Sequence, residues 1–190
     1  MKYLFVSAHT DDAELSCGAT MAKLTEEGHD VNCLALSYCD KDELLTEYAK
    51  ASEILGVNYY NEGFDVRSFN QQSIFIADAL LSFQNYDFVF THSANCRHPD
   101  HRTVSQESKR IFNCGLATFI QPWNGQQDDN YFVEISEKQL EKKLNALSCY
   151  KSQSHRSYMN PDFIRAQAVY NGIKCGKKYA EAFRIERLIQ

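Results

Sequence analysis

The chain has 190 residues, 44% hydrophobic and 24% charged, with a formal net charge of −5. That length suits a single domain, residues 1–190, large enough to bury a real apolar core. The acidic balance argues against nucleic acid as a partner, and no Lys/Arg run stands out, since Lys142-Lys143 and Lys177-Lys178 are only pairs. No stretch approaches the roughly 20 apolar residues of a membrane span. The N-terminal apolar run is also too short for a leader peptide, so a cytoplasmic location is expected.

Residues 2–7 read as a buried strand. From Glu14 to about Gly28 the apolar residues recur at helical spacing, and Gly28 supplies a stop. Val31 to Leu36 predicts a second strand. Residues 42–55 return to helical spacing and stop at Gly56. Val57 to Tyr60 predicts a third strand, Ser73 to Phe83 a helix, and 87–91, around Phe88-Val89-Phe90, a fourth strand. A helix is expected over 101–112 and a strand over 116–120. The polar segment 121–130 reads as a surface loop, and 137–150 as a helix. Residues 179–189 suit either a closing helix or an edge strand.

This alternation of strands and helices predicts an α/β fold: a Rossmann-like, mostly parallel sheet with helices on both faces. Ligands in such folds bind beyond the carboxyl ends of the strands. His9-Thr10-Asp11-Asp12 follows the first strand, and Ser93 to His101 follows the fourth. Two polar clusters far apart in sequence are thus expected on one edge of the sheet. Of seven cysteines, none forms a C-x-x-C pair, so a structural four-cysteine zinc site is not expected. Most read as small buried residues, although Cys96 lies close to the second cluster.

His9 and Asp12 stand three residues apart across a strand-to-helix turn, a spacing that lets an imidazole and a carboxylate share one metal ion. Asp11 is left over beside the metal, where a carboxylate can take a proton from water. In Arg97-His98-Pro99-Asp100-His101, one of the two histidines would complete a set of three protein ligands, as in a catalytic zinc site. The other is then free for acid or electrostatic work. Each cluster also has a plain reading: Asp11-Asp12 as a helix cap, and His98 to His101 as a surface turn. His92 ends a strand and would support the site from behind. His155, in a polar stretch, is a candidate to reach a substrate.

The two clusters, in this order, resemble the PIG-L/LmbE-like family of zinc-dependent N-deacetylases, whose usual pattern is A-H-P-D-D-x-E after the first strand and H-P-D-H after a later one. Here they stand as Ala8-His9-Thr10-Asp11-Asp12-Ala13-Glu14 and His98-Pro99-Asp100-His101. The flanking segments Leu15 to Leu24, Ala51 to Val57, Phe90 to Ser93 and Tyr179 to Ile189 fit as well. The resemblance implies that His9, Asp12 and His101 bind Zn2+, and that Asp11 is the general base. It implies that His98, oriented by Asp100, stabilises the oxyanion or protonates the leaving amine. The implied substrate is a small acylated amino sugar such as an N-acetylglucosamine conjugate, a sugar nucleotide or a glycoside.

Two departures stand out. Thr10 replaces a proline that helps fix the turn. An arginine usual near the start of the second helix is missing, with Leu44 and Leu45 in its neighbourhood, so either Arg67 or Arg97 substitutes in holding substrate or the substrate differs. The chain is also short for the family, which makes assembly into a homo-oligomer an expectation. The rival readings are a hydrolase of a non-sugar amide and a metal-binding module without turnover. A dinucleotide-binding domain is disfavoured, because no G-x-G-x-x-G follows the first strand and the turn there is acidic.

Overall fold

The computed structural model describes residues 1–39, 41–124 and 128–189. Seven strands form a sheet: β1 (Lys2–His9), β2 (Asp30–Ser37), β3 (Asn58–Asn61), β4 (Phe88–His92), β5 (Gly115–Phe119), β6 (Tyr131–Glu134) and β7 (Ala180–Arg187). Six α-helices accompany them: α1 (Asp12–Glu26), α2 (Asp42–Leu55), α3 (Ser73–Leu81), α4 (Pro99–Ile111), α5 (Glu137–Leu147) and α6 (Pro161–Lys174). The strand order is β3-β2-β1-β4-β5-β7-β6. The first five run parallel, while β7 is antiparallel to both β5 and β6.

The α/β architecture follows from burial on both faces of the strands. Along β1, Leu4, Val6 and Ala8 face one apolar cluster with Phe69, Ile76, Leu80 and Val104, under α3 and α4. Phe5 faces the other, with Leu15, Met21, Tyr48, Leu140 and Ile164 from α1, α2, α5 and α6. This period-2 division of an almost wholly apolar strand is what a parallel strand covered on both sides requires. The strand order reverses between β1 and β4, whose neighbouring carboxyl ends carry His9 and His92. That reversal is where open α/β sheets hold ligands.

Several expectations are refined. Helix α4 begins at Pro99 and not near residue 101. Proline tolerates the first helical position because its missing N–H needs no partner there, and His98 serves as the cap, its side chain accepting the Asp100 N–H. Of residues 179–189, Ala180–Arg187 form strand β7, which lies inside the sheet, with β6 as the edge beyond it. Neither β6 nor α6 was expected. The loop predicted over 121–130 is a turn at 121–124, and residues 125–127, including Gly125, lie outside the described residues. No helix among the described residues is long and apolar enough to cross a membrane.

Candidate metal centre and active site

Two strand ends and two helix starts converge. His9 is the last residue of β1, and Asp12 opens α1. Between them Asp11 adopts a left-handed conformation (φ 82°), sits at the cap position of α1, and makes no capping hydrogen bond. A non-glycine residue held there is strained. The plain reading of Asp11-Asp12 as a cap therefore fails. Asp12 Oδ2 instead accepts the His9 backbone N–H at 3.0 Å. Thr10 donates its N–H to Ser37 O at 3.2 Å, a tie between β1 and β2 that a proline could not make.

The three ligand candidates are brought together tightly. His9 Nδ1 lies 3.2 Å from Asp12 Oδ2, His101 Nε2 lies 3.2 Å from the same oxygen, and the two nitrogens are 3.3 Å apart. Ligands 2.0–2.1 Å from a tetrahedral zinc are separated by about 3.3–3.4 Å, so these atoms match three corners of one tetrahedron. Side-chain exposure is 13% for His9 but only 3% and 1% for Asp12 and His101. Of the three, His9 is thus the one that solvent reaches.

Donor atoms of two other sets, His9/His98/His101 and Asp12/His92/His101, also lie within 4.8 Å of one another. Hydrogen bonding sets them apart. His92 Nε2 accepts the Ala8 N–H at 3.0 Å, so its lone pair is engaged. His98 Nδ1 accepts the Asp100 N–H at 3.2 Å, which leaves the proton of the neutral ring on Nε2. His92 serves as a wall, stacked on the His101 ring at 3.9 Å between centroids.

Asp100 holds the centre from behind. Fully buried, it accepts from His9 Nε2 at 3.1 Å and from the Arg67 N–H at 2.7 Å on Oδ2, and from the Phe69 N–H at 3.4 Å on Oδ1. A carboxylate that takes the far N–H of a ligand imidazole fixes its tautomer and raises its basicity. The family resemblance implies that Asp100 orients His98. Its backbone N–H does so, while its carboxylate, 3.8 Å from His98 Nδ1, orients His9.

The electrostatics follow from this crowding. Burial opposes charge on His9, but the Asp100 and Asp12 carboxylates outweigh it and raise the ring to about 9. Burial likewise opposes charge on His101, yet Asp12 and Cys96 raise it to about 10. Asp12, despite burial, is held well below the usual carboxylate range by His101, His9 and His92. Asp11 goes the other way, with burial and the nearby Asp12 and Glu14 charges pushing it well above that range. Burial and the charges of His101 and His9 lower His98 to about 4. In the metal-free site His98 is thus neutral near pH 7.

A cleft of about 410 Å³ opens over the centre, lined by His9, Asp11, Asp12, His98, His101, Arg67, Trp123, Arg156 and Tyr158 among others. Trp123 and Tyr158 form an aromatic wall, with ring centroids 4.5 Å apart. Of the residues expected to meet a substrate, Arg67 lines this cleft. Arg97 is exposed and is not among its lining residues, and His155 borders a separate hollow of about 480 Å³. Arg156, the next residue along, takes the place foreseen for His155. Its segment is anchored to α2 where Glu47 accepts from Ser152 N at 2.9 Å and Ser152 Oγ at 2.6 Å.

Comparison with known proteins places this geometry. A diacetylchitobiose deacetylase from Thermococcus kodakarensis is 27% identical, over 96% of this chain and 82% of that protein. The conserved protein TT1542 from Thermus thermophilus superposes with a TM-score of 0.83 at 25% identity, covering 100% of this chain and 96% of that one. GalB, the 4-carboxy-2-hydroxymuconate hydratase from Pseudomonas putida KT2440, superposes with a TM-score of 0.80 at 20% identity, covering 100% and 99%. That likeness is one of fold, and a fold alone does not fix a reaction. The family model described as PIG-L, GlcNAc-PI de-N-acetylase, matches residues 4–112, more than half of the 190, and the chain belongs to that family.

Proposed function

We propose that the protein is a zinc-dependent amide hydrolase that removes an N-acyl group, typically acetyl, from an amino sugar, with residues 1–190 working as one domain. The observation that carries this reading is the triangle of His9 Nδ1, Asp12 Oδ2 and His101 Nε2 beside an uncapped Asp11 carboxylate. Two nitrogens and a carboxylate oxygen are the donor types zinc prefers, and three protein ligands leave room for chemistry. When bound, the ion supplies Lewis-acid polarisation of the amide carbonyl and lowers the pKa of a water toward neutrality.

The chain's own residues do the rest. Asp11 takes the proton of the attacking water on its carboxylate, a task suited to a carboxyl whose affinity for protons is raised. It then holds that proton for the departing amine, which leaves poorly without one. His98 offers its Nε2–H to the developing oxyanion, with Nδ1 fixed by the Asp100 N–H. Asp100 positions His9. Trp123 and Tyr158 give the sugar a flat face to lie against, and Arg67 and Arg156 hold its polar substituents. The identity of the relative from Thermococcus kodakarensis, a diacetylchitobiose deacetylase, supports an acetylated sugar as the substrate.

The test is amine release from N-acetylglucosamine, its glycosides and its nucleotide-linked form, together with a panel of non-sugar N-acetyl amides. Release from the sugar series, lost after chelation and restored by zinc, is expected. Release confined to the non-sugar amides would keep the chemistry and overturn the substrate class.

A further inference from the structure

Cys96 lies behind the metal centre. Its sulfur is 3.1 Å from His101 Nδ1, on the side of the ring away from Nε2, so it is not positioned to ligate the same ion. The same sulfur accepts from Asn124 Nδ2 at 2.9 Å. Asn124 cannot turn its carbonyl toward the sulfur without loss, because Oδ1 already accepts the Arg97 N–H at 2.8 Å. Cys96 itself is only 2% exposed. Its N–H donates to Ser93 O at 3.2 Å, and its carbonyl accepts from Arg102 Nη1 at 3.0 Å.

We propose that Cys96 is a positioning residue for the metal centre: its sulfur, held in place by Asn124, accepts the Nδ1–H of the His101 tautomer that leaves the Nε2 lone pair free for the ion. This rests on the reading of His9, Asp12 and His101 as metal ligands. The two tautomers have opposite consequences. If the thiol donates to Nδ1, the ring proton sits on Nε2 and blocks coordination. If Nδ1–H donates to the sulfur, Nε2 is free. A metal ion on Nε2 requires the second arrangement, and the Cys96 sulfur, steadied by the Asn124 amide, is the acceptor in reach of the Nδ1–H it creates. His9 receives the same service from Asp100. The centre thus has a carboxylate behind one imidazole and a thiol behind the other, and sulfur is the weaker acceptor of the two.

The experiment is zinc affinity by competition with a chromogenic chelator, on the full chain, for wild type, Cys96→Ala, Cys96→Asp and Asn124→Ala, with the melting temperature of each metal-free protein. Removing the group behind a ligand histidine typically weakens metal binding by about 10–100-fold. Cys96→Ala is expected to show that loss with little change in metal-free melting. Asn124→Ala is expected to show a smaller loss. Cys96→Asp, which restores an acceptor, is expected to bind at least as tightly as wild type.

Proton NMR of the zinc-loaded protein gives a readout that packing alone would not move: the His101 Nδ1–H resonance is expected downfield and slow to exchange with solvent in wild type, and faster to exchange in Cys96→Ala. Wild-type affinity in Cys96→Ala overturns the proposal. So does loss of affinity that Cys96→Asp fails to recover while both variants melt like wild type. If Cys96→Ala does not fold, Asn124→Ala and the wild-type spectrum decide, and a His101 Nδ1–H that exchanges freely with solvent in zinc-loaded wild type overturns the proposal. If wild type binds no zinc at all, the ligand reading itself fails, an outcome distinct from failure of the Cys96 assignment.

Discussion

Asp100 offers the sharpest perturbation, because one side chain ties His9, a proposed metal ligand, to the backbone that carries Arg67. Its Oδ2 holds two short bonds, from His9 Nε2 and the Arg67 N–H, whereas Oδ1 holds only the longer bond from Phe69. Asp100→Ala strands the Arg67 N–H, and a buried unsatisfied group costs about 1–3 kcal/mol. Arg67 is also held at φ 68°, a strained conformation that this bond helps to fix. For a chain of this size each kcal/mol moves the melting temperature by about 2–4 °C, so the metal-free variant should melt on the order of 5–10 °C lower. Loss of the acceptor behind His9 should also weaken zinc binding by about 10–100-fold. Asp100→Asn separates the two effects. Its amide oxygen can occupy the Oδ2 position and keep both short bonds, leaving only the weak Phe69 contact and the charge to be lost. The Asn variant should therefore melt close to wild type and bind zinc more weakly, though less so than Ala. The assays are thermal denaturation of the stripped proteins and chelator competition. Equal behaviour of Ala, Asn and wild type in both would refute the reasoning.

Other consequences follow from the same coordinates. In the metal-free protein His9 and His101 are raised from 6.5 to about 9 and about 10, so their contribution to stability is complete below about 6.5 and is lost as pH climbs through the raised values. Thermal melting of the stripped protein should accordingly decline over that window, while the zinc-loaded protein, whose imidazoles carry no proton on the ligand atom, should not show this decline. Zinc binding near pH 7 should release about two protons, seen as a dependence of calorimetric heat on buffer ionisation; no release would contradict the assignment. The buried pair Lys143–Glu181, 2.6 Å apart, sits where Glu181 also accepts from Ala19 N and Thr20 N of α1. Lys143→Ala should cost about 3–5 kcal/mol by leaving that carboxylate unpaired, read by chemical denaturation, and a cost below about 1 kcal/mol would show that the pair is not a structural tie. Arg67→Gln and Arg156→Gln should each raise KM about tenfold or more, as expected for a hydrogen bond to a charged group, with kcat little changed. An unchanged KM in both would remove the arginines from substrate binding.

The parts of the site legible in the sequence are those in which chemistry and chain direction coincide. His9 to Asp12 and His98 to His101 each follow a parallel strand directly, so a rule about strand ends places both on one edge of the sheet. The apolar strands β1, β2 and β4 and the glycine-stopped helix α2 were legible for the same local reasons. What the sequence hides depends on distant partners. The Asp100 carboxylate hydrogen-bonds His9, 91 positions away in the chain, at 3.1 Å, whereas His98, two positions away, lies 3.8 Å from it. Arg156 enters the cleft while His155 does not, an outcome set by the irregular turns at Lys151–Gln153 and Ser157–Met159 and by the anchor on Glu47. No hydrophobic period runs through such turns. Helix α6 does carry a local start signal, since Asn160 caps its N-terminus before Pro161. Its exposed Val169, Tyr170 and Ile173 blur the apolar stripe that would otherwise have announced it.

The central claim is that Asp11 moves the proton in a metal-assisted hydrolysis. It is tested most directly by measuring amine release and zinc content together for wild type and Asp11→Asn, on an N-acetylglucosaminide. About one zinc per chain in both proteins is expected, with turnover in the variant lower by about 10²–10⁴-fold. Full turnover by Asp11→Asn with zinc in place would contradict the account.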